Sequence, residues 1–210
     1  MPRGRRGSAA AWAQSPGARI RARIAEEAAR LMAENGIEDF HLAKQKAAAR
    51  FGAVDDLPRN VEIEAALMAY RRIFQGDAQP RQLRRLRRAA LDAMDFFEAF
   101  QPRLAGSVLR GSAGEHSDVN LHLFADAPEE VEIHLMDHGI PFETQDRRMR
   151  EDKGTYREYP GYRFAADGAA MDLTVFPREG LRKVPLSPVD GKPMARADSG
   201  RVRALLASGE

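Results

Sequence analysis

The sequence contains no cysteine, and this absence narrows the chemistry open to the protein. A chain without thiols forms no disulfide, builds no thiolate zinc site and has no cysteine nucleophile, so any metal must be held by oxygen or imidazole ligands. A reducing, cytoplasmic setting fits such a composition best. Long apolar runs are lacking as well, because no stretch approaches the roughly 20 apolar residues that span a bilayer. We therefore expect no membrane-embedded segment.

An excess of one charge is also lacking, since 33 basic side chains stand against 31 acidic ones, for a net charge of +2. The balance is uneven along the chain. The first 23 residues carry no acid, and their arginines are Arg3, Arg5, Arg6, Arg19, Arg21 and Arg23. Because no secretory apolar core accompanies them, residues 1–17 are predicted to be a flexible basic arm. The arm is either a solvated tail or a segment that binds nucleic acid or another acidic partner.

Residues 18–100 are predicted to form a helical region of about four helices, because apolar residues recur there at helical spacing between glycines and prolines. In the first helix, Ile20, Ile24, Ala28 and Leu31 form one stripe. The helices are expected from Ala18 to Asn35, from near Asp39 to Phe51, from Asn60 to before Gly76, and from near Pro80 to Phe100.

The fourth predicted helix carries a strongly cationic face. Arg81, Arg84, Arg85 and Arg88 share one side of a helix at these spacings. A nucleic-acid backbone is one partner for such a face. The alternative, a solvated face whose charges pair with acids from neighbouring elements, is the interpretation that we favour.

After Pro102 the apolar pattern changes from helical to alternating, which predicts a compact core over residues 101–178. Val119, Leu121 and Leu123 point one way on a strand, and Asp118, Asn120, His122 and Phe124 point the other. A helix over 128–138 and strands over 142–149, 156–165 and 170–176 are expected, with Asp167-Gly168 as a hairpin turn. Residues 179–210 form a Pro/Gly-rich C-terminal segment with a short helix near 200–207. The predicted class is α+β.

Small residues before the Asp118 strand predict a turn that cradles phosphate. Gly106-Ser107 is followed by Arg110-Gly111-Ser112, and such residues leave backbone N–H groups open to an anion. On a later strand, Asp172 is an isolated acid between Met171 and Leu173. An acid placed there is costly unless it is paired or binds a metal.

These residues resemble the signature of the nucleotidyltransferase superfamily, the polymerase-beta-like fold in its minimal form. That signature combines a Gly-Ser turn, a spacer of about ten residues, an Asp-x-Asp strand and a third acid on a neighbouring strand. Eleven residues lie between Gly106 and Asp118, one apolar residue separates Asp118 from Asn120, and Asp172 falls where the third acid belongs. The resemblance covers Gly106 to about Phe176 and implies a helical region followed by a mixed or antiparallel sheet with flanking helices.

The resemblance also implies roles for these residues. Gly106 and Ser107, with Arg110, Gly111 and Ser112 in the same turn, would contact a nucleoside triphosphate. Asp118 would bind Mg²⁺, with Asn120 and Asp172 as further ligands, and Asp172 would help to activate an acceptor hydroxyl. The implied reaction is metal-dependent transfer of a nucleoside monophosphate to an unidentified hydroxyl acceptor.

The sequence departs from the family where Asn120 stands in place of the second aspartate. An amide oxygen ligates Mg²⁺ but brings no charge, which weighs against two-metal chemistry. His122 on the same face would suit Mn²⁺ or a transition metal better than Mg²⁺. Two further interpretations stay open: a catalytically degenerate, regulatory module that binds a nucleotide or a partner, and a structural role in which Asp118 caps a turn.

Overall fold

A computed structural model of the chain describes residues 16–52, 57–76, 78–152 and 154–209. Of the predicted basic arm, only Pro16 and Gly17 fall within these residues, and both belong to the first helix; Arg3, Arg5 and Arg6 lie outside them. The chain divides into two compact units, residues 1–74 and 75–210. None of the described helices is both long and apolar enough to cross a membrane.

The described part of the first unit holds three helices. They are α1 (Pro16–Asn35), α2 (Phe40–Phe51) and α3 (Asn60–Phe74). Ile24, Ala28 and Leu31 of the predicted stripe are buried, and only Ile20 remains 40% exposed. They form one apolar cluster with buried residues of α2 and α3. The helix boundaries expected at Asn35 and Phe51 are confirmed.

The second unit is a five-stranded sheet with helices against one face. Its elements in chain order are α4 (Ala78–Phe96), a 3₁₀ turn (Glu98–Phe100), β1 (Arg103–Ala105), α5 (Gly106–Arg110), β2 (Val119–Ala125), α6 (Glu129–Asp137), β3 (Glu143–Asp152), β4 (Thr155–Ala166), β5 (Ala169–Pro177), a 3₁₀ turn (Arg178–Leu181) and α7 (Ser199–Ser208). The strand order is β1-β2-β5-β4-β3. Only β2 and β5 are parallel; the other three pairs are antiparallel. The predicted α+β class is confirmed.

The core of this unit lies between the helices and one face of the sheet. Leu121 and Leu123 of β2 and Leu173 of β5 are fully buried there, in one cluster with Leu86 and Met94 of α4. The contacts therefore assign α4 to the sheet unit, although its helical pattern continues that of the preceding region. A periodic stripe shows that a helix buries one side but does not show against which element it does so.

The β4–β5 hairpin has the turn that Asp167-Gly168 predicts. Both residues adopt positive φ, 50° at Asp167 and 69° at Gly168, as a tight two-residue turn between twisted strands requires. β1 and α5 were not expected as elements. A three-residue strand and a single-turn helix are too short to produce a periodic pattern, yet they carry the Gly106 turn.

Candidate functional site

The face of the sheet that points away from the helices is polar. Because side chains alternate along a strand, the neighbours of the buried leucines point to this side. Asn120 of β2 pairs in register with Asp172 of β5, and Asp172 pairs in turn with Arg163 of β4. Asp118 precedes Asn120 by two residues and shares its side. We call this surface, with Asp118, Asn120, His122, Asp172 and Arg163, the polar face.

Gly106 begins α5 directly above Asn120. β1 pairs with β2 so that Ala105 lies opposite Asn120, and Gly106 follows with φ of 74°. A Cβ atom at Gly106 would lie 3.1 Å from Nδ2 of Asn120. Both the backbone angle and the close approach therefore favour glycine at this position. The predicted turn and the predicted ligand strand are brought together here.

The C-terminal end of the predicted phosphate turn lies near α4 and not beside Asn120. Gly111 caps the C-terminal end of α5, and its carbonyl accepts a hydrogen bond at 3.1 Å from Nε2 of Gln79 in α4. Ser112 is only 3% exposed, and its N–H donates to the carbonyl of Ser107 at 3.0 Å. Arg110 ends the same single-turn helix. Gly111 and Ser112 thus lie against α4, whereas Gly106 lies over Asn120.

Asp118 is paired with an arginine from β4. Its carboxylate, 7% exposed, accepts hydrogen bonds from Nη2 of Arg163 at 3.0 Å and 3.3 Å. Nδ2 of Asn120 donates to the backbone carbonyl of Asp118 at 3.2 Å. The arginine keeps about half of its side chain exposed, at 49%. Asp118 is therefore neutralised by a cation that has room to move.

Asp172 is paired in the same manner with an arginine from β3. Its carboxylate, 4% exposed, accepts hydrogen bonds from Nε2 of Gln145 at 3.0 Å and Nε of Arg147 at 3.2 Å, and it forms an ion pair with Nη2 of Arg147. A Cβ atom at Gly161 would lie 3.3 Å from Cγ of Arg147 and 2.7 Å from the carbonyl oxygen of Leu173. Glycine on β4 thus lets Arg147 reach across the sheet to β5.

These pairs bear directly on the predicted magnesium site. Among the described residues, no three His, Asp or Glu side chains are grouped so that they could hold a metal ion. Both carboxylates of the polar face already bind guanidinium groups, and Asn120 adds no charge. Mg²⁺ prefers several hard, anionic oxygen ligands in near-octahedral geometry. As arranged, this donor set does not fit a resident Mg²⁺, and the metal site stays a prediction.

His122 joins the sheet to the C-terminal segment. It is 2% exposed, and its Nδ1 accepts a hydrogen bond at 2.8 Å from Nε of Arg196. Burial first, and the charge of Arg196 second, lower the pKa of His122 to about 3. The imidazole is therefore neutral at physiological pH, and Nδ1 is occupied by the arginine.

Arg196 belongs to a segment that crosses the polar face. Residues 185–198, here called the strap, hydrogen-bond through Leu186 to Arg150 on β3 and through Ala197 to Leu104 on β1. The guanidinium of Arg196 lies over the rings of Phe124 and Phe176, at 5.1 Å and 4.7 Å from their centroids. Burial lowers its pKa to about 10. The strap covers one part of the polar face. No pattern in the local sequence indicates that Arg196 reaches this face.

A cleft of about 410 Å³ adjoins Arg163. It is lined by Pro141, Phe142, Glu143, Arg163, Phe164, Ala165 and Ala170. An aromatic ring, a carboxylate and a guanidinium at one opening suit a ligand with both a planar and an anionic part.

No protein-family model matches the chain, and no curated protein matches it. A function for this chain is therefore inferred from the geometry of the polar face.

Proposed function

We propose that the protein is a nucleotidyltransferase-like module that binds a nucleotide on its polar face, beside Gly106. The observation that carries the proposal is the in-register row of Ala105, Asn120 and Asp172 across β1, β2 and β5, where a Cβ atom at Gly106 would lie only 3.1 Å from Nδ2 of Asn120. The order of strand, glycine turn, short helix, acidic strand and parallel acidic neighbour agrees with the resemblance seen in the sequence. A cytoplasmic location belongs to this proposal, because nucleotides are supplied there.

Arg147 and Arg163 are the side chains that we expect to bind the phosphates. Guanidinium groups bind phosphate oxygens through two parallel hydrogen bonds and keep their charge at all physiological pH values. Side-chain exposures of 36% for Arg147 and 49% for Arg163 leave both within reach of a ligand. The cleft beside Arg163, with Phe142 in its wall, would receive the base.

The residues of the polar face favour nucleotide binding over catalysis with two metal ions. Asn120 supplies no second carboxylate between Asp118 and Asp172, and both acids are already matched by cations. A nucleotide would exchange these carboxylate contacts for phosphate contacts. Such an exchange changes the charge at the surface and suits a regulatory role.

Calorimetric titration with ATP, GTP, CTP and UTP, each with and without Mg²⁺, tests the proposal. Arg163→Gln is expected to lower the affinity for the bound nucleotide by about tenfold or more, because a charge-assisted bidentate contact is lost. Arg178→Gln is the matched control, since Arg178 pairs with the exposed Asp126 at 2.9 Å outside this site. Failure of wild type to bind any nucleotide, or an equal loss in the control, contradicts the proposal.

A second candidate, nucleotidyl transfer to a hydroxyl, is favoured by one specific observation. Asp118 directly precedes β2, and Asp172 lies on β5, which pairs with β2 in parallel; the resemblance requires its acids on two such neighbouring strands. Incubation with labelled nucleoside triphosphates and Mg²⁺ or Mn²⁺, comparing wild type with Asp118→Ala, tests it. Label transfer that requires Asp118 supports the enzyme, and binding without transfer supports the module. A gain of transfer in Asn120→Asp would identify Asn120 as the residue that silences the site.

A further inference from the structure

The arginines of α4 form an exposed face on the helical side of the second unit. Arg81, Arg84, Arg85 and Arg88, here called the arginine face, are all exposed, while Leu83 and Leu86 between them are buried. The last arginine lies seven positions after the first, a rise of about 10 Å along the helix. The face is thus a straight cationic row two turns long.

None of these four arginines forms an ion pair with a carboxylate among the described residues. Other exposed arginines of the same unit do: Arg157 with Glu151 at 3.8 Å, Arg178 with Asp126 at 2.9 Å and Arg203 with Asp95 at 2.9 Å. Like charges three and four residues apart on a helix repel each other. Among the described residues, these four like charges therefore share one side of the helix without a carboxylate partner within ion-pair distance, and the pairing favoured in the sequence analysis stays a prediction.

The β4–β5 hairpin makes this face concave and fixes one of its arginines. Nη2 of Arg85 donates to the carbonyl oxygens of Asp167 at 3.0 Å and Gly168 at 2.9 Å. A Cβ atom at Gly168 would lie 2.6 Å from that nitrogen. The resulting cleft has a volume of about 470 Å³ and is lined by Arg81, Arg84, Arg85, Arg88, Ala89, Asp92 and Asp167. Four cations against two acids leave it with an excess of two positive charges.

The composition of the cleft indicates what kind of anion it fits. A row of about 10 Å that runs parallel to the axis of a duplex spans about three nucleotides of one strand, at an axial rise of about 3.4 Å per nucleotide. The lining contains no aromatic side chain on which an unpaired base could stack, although stacking supplies much of the affinity for single strands. Charge without stacking groups favours the backbone of a duplex over an unpaired strand.

We propose that the arginine face binds the phosphodiester backbone of a nucleic-acid duplex, independently of base sequence. Arg81, Arg84 and Arg88 contact phosphates, and Arg85 holds the hairpin that forms the far wall of the cleft. This inference goes beyond the proposed nucleotide site and does not rest on it, because the two sites share no side chain.

Fluorescence anisotropy with the full chain and a labelled duplex of about 24 base pairs, titrated between about 50 mM and 200 mM salt, tests the proposal. Wild type is expected to bind DNA and RNA duplexes of any sequence with dissociation constants of about 10⁻⁴ to 10⁻⁶ M. The triple variant Arg81→Gln, Arg84→Gln, Arg88→Gln is expected to bind at least about tenfold more weakly. Its plot of log affinity against log salt is expected to be shallower by about 0.9 per lost phosphate contact.

A control triple, Arg157→Gln, Arg178→Gln, Arg203→Gln, removes the same charge from exposed, paired arginines and is expected to retain most of the affinity. Lysine at Arg81, Arg84 and Arg88 keeps the charge and is expected to bind nearly as well as wild type. The proposal is overturned if wild type binds no duplex at about 50 mM salt, or if both glutamine triples weaken binding equally. It is also overturned if polyglutamate competes as well as the duplex, which would identify an acidic protein as the partner.

Discussion

Two sets of arginines in the second unit differ in what neutralises them. Arg147 and Arg163 on the polar face bind the carboxylates of Asp172 and Asp118. The arginine face binds no carboxylate among the described residues. An anion arriving at the polar face therefore meets cations that a carboxylate already neutralises. An anion arriving at the arginine face meets four cations that have no carboxylate partner among the described residues. The first surface is suited to a switch between two charge arrangements, and the second to simple electrostatic attachment.

The difference follows from burial. Asp118 and Asp172 are 7% and 4% exposed, and a carboxylate removed from water must be paired to be tolerated. The arginines on α4 remain in water, where a charge costs little and salt screens its repulsion. We therefore expect removal of a paired arginine to destabilise the fold, and removal of an unpaired one to stabilise it slightly.

The largest effect is expected for Arg147→Met, which breaks the pair at Asp172. A buried carboxylate keeps only the hydrogen bond from Gln145, and we expect the free energy of unfolding to fall by about 2 to 3 kcal/mol at neutral pH. Urea unfolding followed by circular dichroism measures the loss. Adding Asp172→Asn should restore part of it, because no charge is then buried.

Arg178→Met is the control for that experiment. Its partner Asp126 is 72% exposed, so the loss should be within about 0.5 kcal/mol. Equal losses at both positions would show that the buried pair on the polar face adds no more to the free energy of unfolding than an exposed pair does. This result would contradict the difference that we expect between the two sets of arginines.

The pH dependence of stability is the next largest effect, and it involves a third arginine. Arg196 donates to neutral His122, whose pKa falls from 6.5 in the unfolded chain to about 3 in the folded protein. Below pH 6.5 the unfolded state takes up the proton and the folded state does not. The contribution of His122 to stability is therefore complete above pH 6.5 and declines toward pH 3, by about 1.4 kcal/mol per pH unit at most.

At pH 5 this loss should amount to about 2 kcal/mol relative to neutral pH. His122→Asn keeps a hydrogen-bond acceptor without a titrating group, so its unfolding free energy should depend less on pH between 7 and 4. Urea unfolding at each pH, with His116→Asn as the control for an exposed loop histidine, measures the difference. Identical pH profiles for wild type and His122→Asn would contradict the expected burial of a neutral imidazole.

Four of the five strands, β2 to β5, and their order along the chain could be predicted from the sequence because they depend on local patterns. Alternation from Val119 to Phe124, the Asp167-Gly168 turn and the isolated Asp172 are all local signals. Their joint placement was expected only through a family resemblance. The pairing of β2 with β5, which sets Asn120 beside Asp172, depends on contacts between strands distant in sequence, and no local pattern encodes that register.

The arginines of the polar face could not be predicted in this way. Arg147 and Arg163 lie in long strands where arginine commonly faces solvent, and only the register of β3, β4 and β5 brings them to the acids. Gly161 belongs to no sequence motif, although its lack of a side chain leaves room for Arg147. Arg196 reaches His122 from a segment without periodicity. These arginines meet their partners only in the tertiary structure, which patterns in a single sequence do not predict.

A smaller effect is expected for Gly106→Ala, which tests how tightly the polar face is built. Alanine at φ of 74° costs about 1 kcal/mol, and its methyl group would lie 3.1 Å from Nδ2 of Asn120. Gly139→Ala is a matched control, because Gly139 has φ of 65° and no atom within 4 Å of the added methyl group. We expect Gly106→Ala to lose up to about 1 kcal/mol more than the control.

Asn120→Ser in the Gly106→Ala background should recover that extra loss, since the crowded amide is removed. Thermal unfolding of wild type and these three variants measures the extra loss in Gly106→Ala and its recovery in the double variant. If Gly106→Ala and Gly139→Ala lose the same stability, the close approach of the turn to β2 is relaxed at no cost, and Gly106 is needed only for its backbone angle.

The smallest expected effect has the opposite sign and belongs to the arginine face. Arg84 lies three residues after Arg81 and four before Arg88, and each such like-charge pair costs a helix a few tenths of a kcal/mol. Arg84→Gln should therefore raise the free energy of unfolding by a few tenths of a kcal/mol at low salt, and Arg84→Lys, which keeps the charge, should not. The gain should disappear at about 1 M salt, where the screening length falls to about 3 Å. A loss of stability in Arg84→Gln at low salt would mean that Arg84 is neutralised within the folded chain after all, and the two sets of arginines would then be alike.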